Sequence, residues 1–226
     1  MVLSLIIGNK NYSSWSMRPW VLMKELAIPF REEVRNFQEG SSLSAFRAFS
    51  PSGMVPCLLD GDETVWDSLA IVEHLAQNNP RVWPIKGRSW ARSVAAEVHS
   101  GFAALRRGCP MSVGVRVELE NPPPSVATDL ERLVAIIETG IGRFGGPFVC
   151  GAEFTACDAF LAPFAFRAQT YGLVVGKTTQ QYFAHLLELA SMQNWQRDAI
   201  ADPWRESGHE AEVAALGRVT ADYRRT

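Results

Sequence analysis

Apolar and polar positions in the first eighty residues follow two alternating periods. Residues 3–7, Leu-Ser-Leu-Ile-Ile, form a short apolar run closed by Gly8, the pattern of a buried strand. Trp20, Met23, Leu26 and Ala27 then return with helical spacing. Residues 32–37 suit a second strand, and the stretch around Phe46 and Phe49 a short irregular helix before the turn cluster Ser50-Pro51-Ser52-Gly53. Residues 55–66 read as two short strands about an Asp60-Gly61 turn. From Ser68, a stripe of Leu69, Ile71, Val72, Leu75 and Ala76 predicts a helix stopped at Asn78-Asn79-Pro80. The predicted order is βαβαββα.

Beyond Pro80 the pattern turns helical. A boundary is expected within 79–88, dividing the chain into an α/β domain at 1–79, a linker at 80–88 and an all-α helical domain at 89–226. Residues 90–107 predict one long helix, broken at Gly108-Cys109-Pro110 and continued past a kink over 111–119. Residues 126–144 predict another, closed by Gly145-Gly146-Pro147. Thr155-Ala156-Cys157-Asp158 has the form of a capping box, and the almost wholly apolar run 159–166 after it predicts a helix buried at the centre of its domain. Two more helices are expected over 179–192 and 194–200.

Composition excludes some partners. The chain has 226 residues and carries 22 basic against 24 acidic side chains, a net charge of −2, which gives nucleic acid or an anionic membrane no electrostatic hold. No apolar run is long enough to span a bilayer, and residues 1–7 lack a basic n-region and a cleavage site, so a cytoplasmic location is expected. Cys57, Cys109, Cys150 and Cys157 show neither CxxC nor a Cys/His metal spacing. They are expected to be free thiols, with no metal site; His74 and His99 are read as surface or core residues.

Three short stretches carry candidate chemistry. In Tyr12-Ser13-Ser14-Trp15-Ser16-Met17-Arg18, hydroxyls stand where a strand hands over to a helix, either as a serine-rich cap or as a site where a hydroxyl meets an anionic nucleophile. In Gly53-Met54-Val55-Pro56, a cis bond before Pro56 would turn the Val55 backbone outward to pair with an extended peptide. Taken alone, the dipeptide also suits an ordinary trans proline at a strand edge. Asp67-Ser68 opens a helix, where a hydroxyl and unpaired backbone N–H groups suit a carboxylate and Asp67 suits an ammonium group. Ser68 as a plain N-cap fits the same pair.

In this order the segments resemble the cytosolic glutathione transferases over essentially the whole chain, including Gly151 and the Thr155 to Asp158 box. The Ser13 to Arg18 stretch is most similar to the serine-type, zeta-like classes, which carry Ser-Ser-Cys-x-x-Arg in this turn. The resemblance implies a thioredoxin-like N-terminal domain, an all-α C-terminal domain, and glutathione as co-substrate. By its distance from Arg18, Ser13 takes the place of the catalytic serine, with Ser14 as neighbour and backup. A hydroxyl donor there favours thiolate over a thiol whose free pKa is about 8.5. Val55 and Pro56 would pair with the cysteinyl backbone, and Asp67 and Ser68 would hold the γ-glutamyl group.

Two departures limit what is carried over. Met54 stands where the family commonly has Lys or Gln for the glycine end, which leaves Gln38 as the candidate there. Trp15 replaces the zeta-like cysteine, so that class's maleylacetoacetate isomerase activity is not carried over; Trp15 is either part of the electrophile pocket or a core aromatic. The second substrate is expected between the domains, with Tyr12, Trp15, Arg106, Cys109 and Phe166 as candidate lining. The expected function is conjugation of glutathione to a hydrophobic small-molecule electrophile by a homodimer. Glutathione-dependent isomerisation or peroxide reduction is the alternative, and a non-catalytic glutathione- or ligand-binding protein is the alternative of another class.

Overall fold

The computed structural model describes residues 2–224. Strand β1 (Leu3–Ile7) has its last three residues fully buried and sits inside a sheet of order β2-β1-β3-β4. After helix α1 (Ser14–Glu25), β2 (Phe30–Val34) pairs with β1 in parallel, Leu3 opposite Phe30 and Ile7 opposite Val34. A single turn, α2 (Leu43–Phe46), leads to β3 (Cys57–Asp60), antiparallel to β1, and a tight hairpin brings back β4 (Glu63–Val65) with Asp60 opposite Glu63. Gly61 takes φ +60°, a backbone state that glycine adopts without steric cost. Helix α3 (Ser68–Asn78) buries Ile71, Val72 and Leu75. This is the expected βαβαββα order, a thioredoxin-like mixed sheet, with the second strand beginning two residues earlier than its sequence pattern suggests.

The remainder is dominated by helices. Where one long helix is expected over 90–107, the chain forms α4 (Arg88–Ser100) and α5 (Ala103–Gly108), divided where Phe102 takes φ +59°. The expected continuation over 111–119 is instead β5 (Val115–Leu119). Its buried Val115 and Val117 alternate with Arg116 and Glu118 in the period of a strand. Helix α6 (Pro124–Phe144) precedes α7 (Ala156–Tyr171), followed by α8 (Lys177–Glu188) and α9 (Ala190–Ala201). Two elements have no counterpart in the sequence reading: α10 (Ser207–Ala214) and β6 (Gly217–Asp222), which pairs antiparallel with β5. The helical domain therefore carries a two-stranded ribbon, formed by its own C-terminal strand.

Helix α7 is apolar on nearly every side and packs against α1, α4, α8 and β5, as a helix at the centre of a domain must. Its capping box forms. Asp158, fully buried, accepts from the backbone N–H of Thr155 at 2.9 Å and of Val149 at 3.0 Å, and from the hydroxyls of Thr155 and Tyr182. Trp195 meets Trp20 edge-on at 5.1 Å and donates to the Lys10 carbonyl at 2.8 Å, tying α9 to the first loop. All four cysteines are free thiols. Among the described residues no helix is long and apolar enough to cross a membrane.

Candidate functional site

The loop after β1 is fixed before α1 begins. The Asn9 carbonyl accepts from the N–H groups of Tyr12 and Ser13, and its amide side chain reaches Phe37 N, Asn36 and Asp202. Ser13 caps α1: its Oγ accepts from Ser16 N at 3.4 Å and donates to Ser16 Oγ at 2.7 Å, which in turn accepts from Gly8 N. Ser14, the first residue of α1, accepts from Arg167 Nη2 at 3.2 Å. No acceptor among the described residues takes the Ser14 hydroxyl proton, whereas that of Ser13 is committed to Ser16.

Three arginines converge behind this turn. Arg18 is fully buried; it donates to Ser68 Oγ at 3.3 Å and lies 4.0 Å from the centre of the Trp15 ring and 5.0 Å from that of Phe160. The Arg106 guanidinium lies 4.9 Å from the same Trp15 ring. Arg167 donates to the Cys109 carbonyl at 2.7 Å as well as to Ser14. Burial, then the mutual repulsion of these charges, lowers the pKa of Arg18 and brings that of Arg167 down to about 10. Among the described residues none of the three has a carboxylate at ion-pair distance, and Arg18 Nε has no hydrogen-bond partner. Charge of one sign at this depth, only partly offset by Asp67 on Arg18 and Asp129 on Arg106, favours an anion nearby.

The bond before Pro56 is cis, and Val55 stands at the cavity described below with the exposed Met54 before it. At α3, Asp67 is the N-cap, accepting from Leu69 N at 3.0 Å, so Ser68 is the first helical residue and not the cap. Asp67 Oδ2 also meets His99 Nε2 of α4 at 3.3 Å, while Ser68 is buried under Arg18.

A cavity of about 360 Å³ brings Tyr12, Ser13, Ser14 and Trp15 together with Met54 and Val55. Phe37, Ser41, Ser42 and His209 complete the wall that concerns the chemistry. Other candidates lie elsewhere. Gln38 is exposed and folds back, donating from Nε2 to the Asn36 carbonyl. Arg106 stands over Trp15 with its guanidinium donating to the Val98 and Gly101 carbonyls. Cys109 and Phe166 are wholly buried in the core, where they border no cavity wall of this site, and burial raises the Cys109 thiol to about 11. A larger cavity, about 530 Å³, lies at the far end of α7 against α8; it is lined by Ala165, Leu173, Phe183 and Leu187 among others and, among the described residues, has no titratable side chain.

The C-terminal segment closes the site, a feature absent from the sequence reading. Asp202 accepts from Asn9, Trp204 Nε1 donates to the Phe37 carbonyl at 3.1 Å, and Ser207 donates to Glu39. His209 stacks on Tyr12 at 4.7 Å and leans on Phe37 at 5.0 Å. Glu206 caps α10, accepting from Gly208 N and His209 N, and its Oε2 lies 2.6 Å from His209 Nδ1. The Tyr12 hydroxyl donates to Glu210 at 2.6 Å, and Arg224 holds Glu210 from the other side. Burial and then Glu210 push the Tyr12 phenol up to about 12, so it remains a protonated donor turned toward α10. The sequence signal for this strap is the Glu206-Ser207-Gly208-His209 run, an acidic cap followed by a histidine.

The chain matches the family description "Glutathione S-transferase, N-terminal domain" over residues 12–78 and "Glutathione S-transferase, C-terminal domain" over residues 88–199. Among curated relatives, a zeta class glutathione S-transferase of Euphorbia esula is 26% identical over 157 residues, covering 67% of this chain and 70% of that protein. A probable maleylacetoacetate isomerase of Vibrio cholerae is 24% identical over 202 residues, covering 83% and 93%. Among solved structures, a Tau class glutathione S-transferase from mango superposes with a TM-score of 0.69 at 18% identity, covering 95% of this chain and 97% of that one. A Burkholderia glutathione transferase homolog with bound glutathione superposes with a TM-score of 0.65 at 22% identity, covering 88% and 98%.

Proposed function

The chain belongs to the glutathione S-transferase family, and from that premise we propose that it binds glutathione in the cavity at the head of α1, ionises its thiol and delivers the sulfur to an electrophile. In this pose the cysteinyl backbone pairs with Val55 beside cis-Pro56, and the γ-glutamyl end points to Asp67 and Ser68. The sulfur meets a serine hydroxyl at the α1 N-terminus.

The observation that carries this reading is the pair Ser14 and Arg167. A buried guanidinium behind Ser14 Oγ leaves the hydroxyl proton free to donate forward, and polarises that donor. Ser13, with its proton on Ser16, is better suited to capping the helix. We therefore assign Ser14 the sulfur contact and Ser13 the support. The α1 N-terminus and the three arginines favour the same charge, and a shift of one or two units from about 8.5 makes thiolate the main form near neutrality. The nucleophile is the sulfur of glutathione itself, and Trp15, exposed to the cavity, is the surface an apolar electrophile would meet.

Residues 1–79 are read as the glutathione-binding unit and 89–226 as the unit that completes the electrophile pocket, with 80–88 as the linker. The protein is taken to be cytoplasmic, in keeping with its free thiols, and homodimeric, which light scattering tests. The reading itself is tested by titration calorimetry with glutathione, followed by an electrophile panel in which thiol consumption is measured. Conjugation consumes thiol; isomerisation, in which the same thiolate adds and leaves again, consumes none; peroxidase turnover yields oxidised glutathione. The likeness to the Vibrio cholerae isomerase is what keeps isomerisation as the second reading. No binding at millimolar glutathione would leave a non-catalytic protein of the same fold.

A further inference from the structure

We infer that His209, carried by the C-terminal strap, is the residue that receives the glycyl carboxylate of glutathione. The inference rests on the glutathione reading above and adds to it a recognition group outside the N-terminal domain.

Among the described residues the cavity that holds Ser13, Ser14 and Val55 is lined by no Lys, Arg, Asp or Glu, and His209 is the one lining side chain able to carry a positive charge. A tripeptide with its cysteine at Val55 and its γ-glutamyl end at Asp67 has its glycyl end on the other side of Val55. That is where Met54, Ser41 and Ser42 stand, and where the His209 ring closes the wall. Met54 offers a carboxylate nothing, and the Gln38 side chain is turned back on Asn36.

The ring is held in place for this contact. Tyr12 and Phe37 clasp it, and Nδ1 lies 2.6 Å from Glu206 Oε2. Two backbone N–H groups fix that carboxylate in turn. Against the effect of burial, these N–H groups and the ring hold Glu206 below the ordinary glutamate range, so it is an acceptor and Nδ1 carries a proton. Nε2 is the nitrogen left for a ligand. As a lone pair it repels a carboxylate; once protonated it donates to one. Among the described residues the charged and titratable groups around the ring are Glu206 on the strap, Glu210 one residue on with Arg224 and Arg205 acting on it, and the Tyr12 phenol, which stays neutral.

Two consequences follow. The glycyl carboxylate is bound through a proton on Nε2, so removing either the carboxylate charge or the ring removes the contact. Carboxylate binding and docking of the strap are also linked, each stabilising the other.

The experiment compares glutathione with its glycyl monoethyl ester, which has the same thiol and γ-glutamyl group, on the wild-type protein and on His209→Phe, which keeps the stacking on Tyr12 and Phe37. The wild type is expected to bind glutathione about tenfold more tightly than the ester, the size of one charge-assisted hydrogen bond. His209→Phe is expected to bind the two alike. Protease cleavage within 202–216 should be slowed by glutathione and not by the ester. An undiminished gap in His209→Phe, or equal binding of the two ligands by the wild type, overturns the inference and leaves the glutathione reading standing. Failure of the wild type to bind either ligand overturns both.

Discussion

Arg167 of α7 donates to the hydroxyl oxygen of Ser14 at 3.2 Å, joining the central buried helix to the turn that opens α1. The bond sets a fully buried cation against the hydroxyl of a residue that lines the cavity. Replacing Arg167 with Met removes that charge and leaves the Ser14 oxygen without its donor. The thiol of bound glutathione should then ionise at higher pH, about one unit, with kcat/KM near neutrality falling roughly tenfold and recovering as pH is raised. The pH profile of kcat/KM checks this, and Arg167→Lys should recover part of the loss. An unchanged profile would separate Arg167 from the chemistry.

The two serines should divide by role. Ser14→Ala is expected to lower kcat by roughly a hundredfold with little effect on urea unfolding, as for removal of one donor to a developing or bound anion. Ser13→Ala removes a helix cap, about 1 kcal/mol of stability, with a smaller loss of turnover. Paired turnover and unfolding measurements decide it, and the reverse pattern would return the sulfur contact to Ser13.

Asp158 collects the Val149 and Thr155 N–H groups and the hydroxyls of Thr155 and Tyr182. Asp158→Ala orphans all four donors in the core. At roughly 1–3 kcal/mol for each buried unpaired group, and allowing for relaxation, a loss of at least about 3 kcal/mol is expected. Denaturant unfolding measures it. A loss below about 1 kcal/mol would show that the box is incidental to α7.

Acid should release the strap. Against the opposing effect of burial, the Glu206 carboxyl is held below its ordinary value by the His209 and Gly208 N–H groups, and Glu210 by Arg224 and Tyr12. Carboxyls depressed in the folded state add stability that is present above their unfolded pKa, about 4.3, and is lost as pH falls through the folded value. Pepsin cleavage within 202–216 should therefore rise steeply below about pH 4, ahead of cleavage in α7. Simultaneous cleavage of both would mean that the strap has no separate acid response.

Much of the N-terminal half was legible because its signals are local. The apolar run of β1, the Asp60-Gly61 turn and the α3 stripe each declare one element within a dozen residues. Strand β5 escaped because its Val115 and Val117 alternation is brief and its partner, Arg218 opposite Glu118, lies far along the chain. Helix α10 escaped for another reason: it buries only Val213, so it has no apolar stripe, and it docks through Tyr12, Glu39 and Phe37 instead. His209 was hidden with it. Counting from Arg18 gave the register of Ser13 and Ser14, but not which hydroxyl was already engaged; that depends on Ser16 and on an arginine on α7.

The head of α1 is proposed to hold glutathione as a thiolate. The direct measurement is the ultraviolet thiolate absorbance of glutathione bound to the wild-type protein, followed as pH is raised, with Ser14→Ala alongside. The expected result is an apparent thiol pKa one or two units below the free value of about 8.5, moving back toward it in Ser14→Ala. Bound glutathione that titrates as it does in water, identically in both proteins, would contradict the claim.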